Sequence, residues 1–224
     1  MKINHIYAED CLITMSKMQD AFIDLTVTSP PYDSLRDYKS YKFEFEKIAK
    51  ELFRVTKPGG VVVWIVGDAT IKGSETGTSF RQALYFKEIG FNLHDTMIYY
   101  RTSPYPSNVR YNQVFEYMFV LSKGKPKTFN KYVRQLKSSK NVYNINKTTY
   151  RDKHGEINYP DTACKRRRTL SRSKELKLGE NIWYTPSGGF ACCSDKIAFQ
   201  HPATFPEKLA EDHILSWSNE KFSL

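Results

Sequence analysis

Apolar positions fall into short continuous runs and helical stripes that alternate along the chain, and the alternation predicts most of the elements. Residues 3–8, from Ile3 to Ala8, read as a short strand, and Leu12, Met15 and Met18 follow at helical spacing. Phe22 to Val27 form an apolar run that reads as a buried strand. Phe45, Ile48, Ala49, Leu52 and Phe53 recur three and four residues apart, the stripe of a helix packed on a sheet. That helix is predicted to stop at Lys57-Pro58-Gly59-Gly60, where glycine permits a left-handed cap and proline blocks continuation. Val61 to Val66 run without alternation, which predicts a central strand buried on both faces and hence an α/β sheet.

A Gly/Ser/Thr loop from Gly73 to Thr78 precedes a predicted helix through Phe80, Ala83, Leu84 and Ile89, ended by Gly90. Phe91–Tyr100 and Val114–Ser122 read as strands on either side of a polar loop from Arg101 to Asn112. The pattern weakens after Gly124 and returns at Asn181-Ile182-Trp183-Tyr184. A last helix is predicted from the capping-box spacing Thr204-x-x-Glu207, with Pro206 in the first turn and Leu209, Ile214 and Trp217 as the apolar face.

Charge divides the chain unevenly. The net charge is +10, yet Lys123 to Lys177 hold 17 Lys/Arg against 4 Asp/Glu, and the rest is slightly acidic. Tyr132, Tyr143, Tyr150 and Tyr159 interleave with this basic block, whose densest cluster is Lys165-Arg166-Arg167-Arg168. Such a block suits phosphate contact and salt-sensitive nucleic-acid binding, although taken alone it favours a solvated basic insert. At 224 residues, 40% of them hydrophobic, the chain suits one domain carrying an insertion. The four cysteines form no CxxC pair, and Cys192-Cys193 with His201 lacks the usual ligand spacing, so no metal is expected. With no apolar leader and no apolar run long enough to span a bilayer, a cytoplasmic protein without membrane contact is expected.

The chemistry concentrates in Thr28-Ser29-Pro30-Pro31-Tyr32, directly after the Phe22–Val27 run. Two successive prolines donate no backbone hydrogen bond and cannot continue a sheet. They leave a stiff, carbonyl-rich corner at a strand's C-terminal end, where open α/β sheets place their ligands. This corner resembles the catalytic motif of the DNA amino-methyltransferases that modify cytosine N4 or adenine N6. The resemblance implies S-adenosyl-L-methionine as cofactor. It implies that Ser29 and the Pro30 carbonyl accept the two amine protons, that Pro31 stiffens the corner, and that Tyr32 stacks on a flipped base. Asp10 matches the acidic residue near the cofactor's adenosine, and it also suits the N-cap of the following helix. Thr28 is grouped with the cofactor site. So are His201, Pro202, Thr204 and Phe205, whose His-Pro-Ala-x-Phe-Pro-x-x-Leu wording is similar to the segment at the cofactor's methionine end. Arg36, in the loop after the corner, and Lys165 to Arg168 are assigned to DNA, with the basic insertion as the target-recognition region.

The expected fold is thus α/β, a Rossmann-like methyltransferase sheet with a basic insertion. Residues 1–123 form the catalytic core, 124–180 the insertion and 181–224 the remainder of the core. Family members with this motif order carry a cofactor-binding Gly-x-Gly turn after the last helix, and the sequence holds no such turn. The sheet is therefore expected to be incomplete at its C-terminal end. Three readings follow: a truncated, inactive methyltransferase; half of a split enzyme, with a second polypeptide completing the cofactor site; or a non-catalytic DNA-binding remnant. The truncated enzyme is favoured. Ser rather than Asp at position 29 favours cytosine N4 over adenine N6.

Overall fold

Branched side chains from Val61 to Val66 fill the centre of the molecule, and every one of these six residues is buried. The computed structural model describes residues 2, 4–31, 33, 43–105, 107–130, 133–135, 150–151, 154, 156–158, 176–185 and 205–219. They divide into two compact units, one of residues 1–130 with 181–224 and one of residues 131–180.

The first unit opens with an irregular N-terminal segment. Residues 4–8 form no strand, contrary to the sequence expectation, because no neighbouring strand offers them a ladder. Helix α1 (Cys11–Ser16) follows, capped by Asp10, whose Oδ1 accepts from Leu12 N at 2.7 Å. Strand β1 (Ile23–Thr28) leads to α2 (Phe45–Val55), β2 (Thr56–Val66), the small hairpin β3 (Thr70–Ile71) and β4 (Ser74–Glu75), and helix α3 (Thr78–Glu88). Strands β5 (Asn92–Tyr105) and β6 (Gln113–Ser122) complete the run before the second unit.

The second unit contains two antiparallel pairs. β7 (Val133–Gln135) pairs with β10 (Leu176–Leu178), and β8 (Tyr150–Arg151) pairs with β9 (Ile157–Asn158). Strand β11 (Ile182–Thr185) and helix α4 (Glu207–Trp217) belong to the first unit again. No described helix is long and apolar enough to cross a membrane.

Five strands form one mixed sheet in the order β1-β2-β6-β5-β11. β1 runs parallel to β2, β6 runs antiparallel to β2 and β5, and β11 runs parallel to β5. The C-terminal ends of β1, β2, β5 and β11 and the start of β6 therefore share one edge of the sheet. β1 is an outer strand, and its far side has no partner among the described residues.

Alternate side chains of the central strands feed two cores. Val62, Trp64, Val66, Phe119 and Leu121 face α1, α2 and α3, where Met15, Ile48, Leu52 and Phe86 meet them. Val61, Val63, Ile65, Met118 and Val120 face the other side, where Leu209 and Trp217 of α4 cover them.

Three element expectations are revised. The α2 stripe is as expected, but the helix ends at Val55, and Thr56 is already extended. Lys57 to Gly60 bulge out of β2, since Ile23 pairs with Thr56 while Leu25 pairs with Val61. Gly59, at φ 80°, supplies the left-handed turn inside that bulge and not at a helix cap. Helix α3 buries Ser79, Gln82, Ala83 and Phe86 and leaves Phe80 and Leu84 largely exposed. The buried Trp64 indole selects this face, because its Nε1 donates to Gln82 Oε1 at 2.8 Å. Helix α4 begins at Glu207 with Pro206, not Thr204, at its N-cap, and the Pro206 carbonyl accepts from Leu209 N and Ala210 N. Its buried face adds Asp212, His213 and Ser216 to Leu209 and Trp217, whereas Ile214 is exposed.

Candidate active site

β1 delivers the Ser-Pro-Pro corner to the shared sheet edge. Register with β2 places Thr28 opposite Trp64, so the chain leaves the sheet two residues before β2 does. Pro30 is buried, while Ser29 and Pro31 are half-buried. Neither proline offers an N–H, so the corner presents oxygen acceptors and apolar ring carbons.

The corner borders a cavity of about 430 Å³. Thr28, Ser29, Pro30 and Pro31 line one side, and Tyr7, Glu9, Cys11 and Met15 line the side formed by the N-terminal segment and α1. Trp64, Ile48 and Leu52 supply an apolar floor from β2 and α2. The volume lies in the range of small-molecule sites, and a mainly apolar wall with a few polar groups at its rim is the common composition of such sites.

The sequence-derived candidates fall into three groups. Thr28, Ser29, Pro30 and Pro31 come together on the cavity. Asp10 sits beside it: its neighbours Glu9 and Cys11 line the cavity, while its own carboxylate caps α1. Glu9 is tied down by Lys17 Nζ at 2.8 Å and by Thr14 Oγ1 at 2.9 Å, and these two bonds hold its carboxyl below the usual range. Phe205 is on the other face of the sheet, packed with Leu25 and Val27 against the α4-side core. Tyr32, Arg36, Lys165, Arg166, Arg167, Arg168, His201, Pro202 and Thr204 lie outside the described residues.

Two carboxylates to which the sequence assigned no role stand at this edge: Asp33 fastens the chain just after the corner, and Asp68 caps α3. Asp33 follows Tyr32 with φ 49° and reaches across to the segment after β2. It accepts from Ala69 N at 3.1 Å, from Thr78 Oγ1 at 2.7 Å and from Thr76 Oγ1. Partial burial opposes its charge, but the bonds from Thr76, Ala69 and Thr78 outweigh burial and hold the Asp33 carboxyl below its ordinary value. Asp68 accepts from Ser79 N at 2.9 Å and from Ser79 Oγ, and so caps α3, whose own N-cap Gly77 has no side chain. The available signal was a pair of aspartates, one in the segment after β1 and one in the segment after β2, at the same sheet edge. Acceptor side chains are what helix starts and turns require there.

A model of the N6/N4 DNA methylase family matches residues 23–221. The chain belongs to this DNA methylase family. Among relatives of this family member, the orphan methyltransferase M.BamHII of Bacillus amyloliquefaciens is 59% identical over 202 residues, covering 90% of this chain and 74% of the relative. The type II methyltransferase M.MthZI of Methanothermobacter thermautotrophicus is 28% identical over 169 residues, covering 58% of this chain and 47% of the relative. In fold, the methylase resembles PvuII DNA methyltransferase, described as cytosine-N4-specific, with a TM-score of 0.60 at 21% identity over 95% of this chain and 70% of that one. It also resembles a DNA modification methylase of Thermus thermophilus, solved with S-adenosyl-L-methionine, with a TM-score of 0.53 at 21% identity over 93% and 72% of the respective chains. The expected α/β methyltransferase architecture is thereby established.

Proposed function

We propose that this DNA methylase family member transfers a methyl group from S-adenosyl-L-methionine to the exocyclic amine of a base flipped out of double-stranded DNA, and that the base is cytosine, modified at N4. The observation that carries this reading is the placement of Thr28 to Pro31 at the shared sheet edge, on the wall of a cavity of about 430 Å³.

The residues suit both guests. An amine entering at the corner meets the Ser29 hydroxyl and the Pro30 carbonyl, two acceptors for its two protons, and neither proline offers an N–H to compete for its lone pair. Holding both protons aims that lone pair away from the corner, along a fixed line. Tyr32 is assigned to stack on the flipped base. The apolar floor of Trp64, Ile48 and Leu52 fits the flat, weakly polar surface of an adenosine group, with Thr28 at its rim. Bound S-adenosyl-L-methionine supplies an electrophilic methyl sulfonium. Asp10 is assigned to the adenosine side and His201, Pro202 and Thr204 to the methionine side, while Phe205, packed on the opposite face of the sheet, is withdrawn from the cofactor site. Arg36 and Lys165 to Arg168 are assigned to DNA phosphates, and residues 124–180 to target recognition. Ser29 supports cytosine because a neutral hydroxyl, rather than an ionised carboxylate, meets the amine.

Incubation of the protein with mixed-sequence duplex DNA and isotope-labelled cofactor, followed by nucleoside mass spectrometry, tests the reading. Labelled N4-methylcytosine is expected. Labelled N6-methyladenine reassigns the base, and absence of label in either nucleoside refutes methylation by this chain. Ser29→Ala is expected to lower the yield by about 100-fold, in the range found for removing one positioned polar group at a reacting centre.

A further inference from the structure

Beyond the corner, the shared sheet edge carries a second feature with no role in the chemistry above. The loop between β5 and β6 holds Val109 and Tyr111 out into solvent, 89% and 99% exposed. These are two of the three most exposed large hydrophobic side chains among the described residues, and they lie two positions apart on one loop at this edge. The loop is nevertheless fixed. Ser107 N donates to Asn112 Oδ1 at 3.0 Å, and Val109 N donates to Ser107 Oγ at 3.3 Å. Arg110, between the two apolar residues, turns back onto the β3–β4 hairpin and donates to Gly73 O at 2.8 Å and Thr70 Oγ1 at 3.3 Å.

That clamp connects the loop to the corner through hydrogen bonds. The segment bearing the hairpin is the one that Asp33 grips through Ala69, Thr76 and Thr78. Strand spacing puts the loop two to three strands from β1, about 10–15 Å along the edge. A duplex whose target base enters the corner must pass its neighbouring base pairs over this stretch. Extruding a base leaves a gap of one stacking step, and an inserted apolar or aromatic side chain offsets the lost stacking.

We infer that residues 107–112 form a wedge for duplex DNA, in which Tyr111 stacks in the gap left by the extruded base and Val109 packs on the adjoining base step. The inference rests on the proposed reading that the corner handles a flipped base. Its occupant is double-stranded DNA, because the loop is continuous with the candidate active-site edge of a DNA methylase family member.

The test uses the full chain and fluorescently labelled 20-base-pair duplexes of mixed sequence, either intact or carrying one abasic site. The abasic duplex is already missing a base, so a wedge enters it at lower cost. The wild-type protein is expected to bind the abasic pool more tightly than the intact pool. Val109→Ala with Tyr111→Ala is expected to lower affinity for the abasic pool about tenfold, within the range of one base–aromatic stack. The salt slope of binding is expected to stay unchanged, because no phosphate contact is removed. Tyr111→Phe is expected to keep the wild-type preference. Unaltered melting of the double variant checks its fold, since both side chains extend into solvent. If the double variant keeps the abasic preference, or the wild type has none, the wedge is overturned while methylation, read by mass spectrometry, stands separately. If the wild type binds neither pool, the functional reading fails and the wedge with it.

Discussion

Asp33 is a single carboxylate with three donors, placed where a small shift matters most. Its bonds to Ala69, Thr76 and Thr78 fix the chain one residue beyond Tyr32. Asp33→Asn keeps the size but replaces one acceptor oxygen with a donor that faces other donors. We expect turnover to fall by about 10- to 100-fold, the scale associated with displacing a reacting group by about 1 Å. Cofactor affinity, measured by calorimetry, should change by less than about threefold. Equal loss in both quantities would instead assign Asp33 a global structural role. Gln82 is a second residue whose worth comes from one partner. Gln82→Leu leaves the buried Trp64 Nε1 without its acceptor, and urea unfolding should show a loss of about 1–3 kcal/mol.

His213 gives the fold a pH dependence. It is fully buried between Trp183, with ring centroids 4.4 Å apart, and Met118 Sδ, 3.3 Å from Nε2. Its Nδ1 has no hydrogen-bond partner among the described residues. Burial pushes its pKa down to about 3 from the ordinary 6.5. The folded chain therefore keeps this ring neutral while the unfolded chain takes up a proton below about pH 6.5. Stability contributed at this site is complete above pH 6.5 and declines as pH falls toward 3, by up to about 1.4 kcal/mol per pH unit. His213→Phe should flatten that decline in urea unfolding measured at pH 5 and pH 8. An unchanged difference between the two pH values would place the acid sensitivity elsewhere.

Elements were legible where one physical demand dominated. The Val61–Val66 run is apolar but for the Trp64 indole N–H, so both faces had to be covered, and both are. The α2 stripe is equally clear, because its apolar residues leave only one face to bury. Reading failed where two demands competed. In α3 the larger apolar residues Phe80 and Leu84 suggested the wrong face, and the need of Trp64 for an acceptor rotated the helix toward Gln82. At Lys57-Pro58-Gly59-Gly60 the residues correctly signalled a break, but whether a cap or a bulge forms depends on β1 pairing on both sides of it. Gly59→Ala tests the bulge. Alanine at φ 80° is strained by about 1–2 kcal/mol, and a Cβ there meets Lys127 Cγ at 2.5 Å. Thermal unfolding should show destabilisation of at least that size, with the m-value of urea unfolding unchanged.

For the whole molecule, the corner, the sheet and the family were legible from the sequence, whereas the Asp33 and Asp68 contacts were not. Those depend on which strand ends meet at one edge, a property of topology that no local spacing encodes. The charge asymmetry was legible too, because counting needs no structure: the second unit holds 14 Lys/Arg against 5 Asp/Glu. Replacing Lys165, Arg166, Arg167 and Arg168 by alanine should make the slope of log affinity against log salt shallower by about 3, on the scale of roughly 0.9 per phosphate contact. An unchanged slope would move the phosphate contacts away from this cluster.

Both points at which the first unit hands over to the second are fastened. Asn130 N donates to Ser216 O at 2.8 Å, and its Nδ2 donates to Leu215 O and Ser218 O, each at 2.9 Å. On the return side Asn181 O accepts from Ile98 N at 2.7 Å, and Asn181 Nδ2 donates to Thr96 O at 3.3 Å. Each seam is closed by an asparagine bonded to core backbone, so the first unit holds both ends of the interval by its own contacts. The bonds are made by Asn130 and Asn181 themselves, so a change of length or sequence within residues 131–180 leaves both anchors in place.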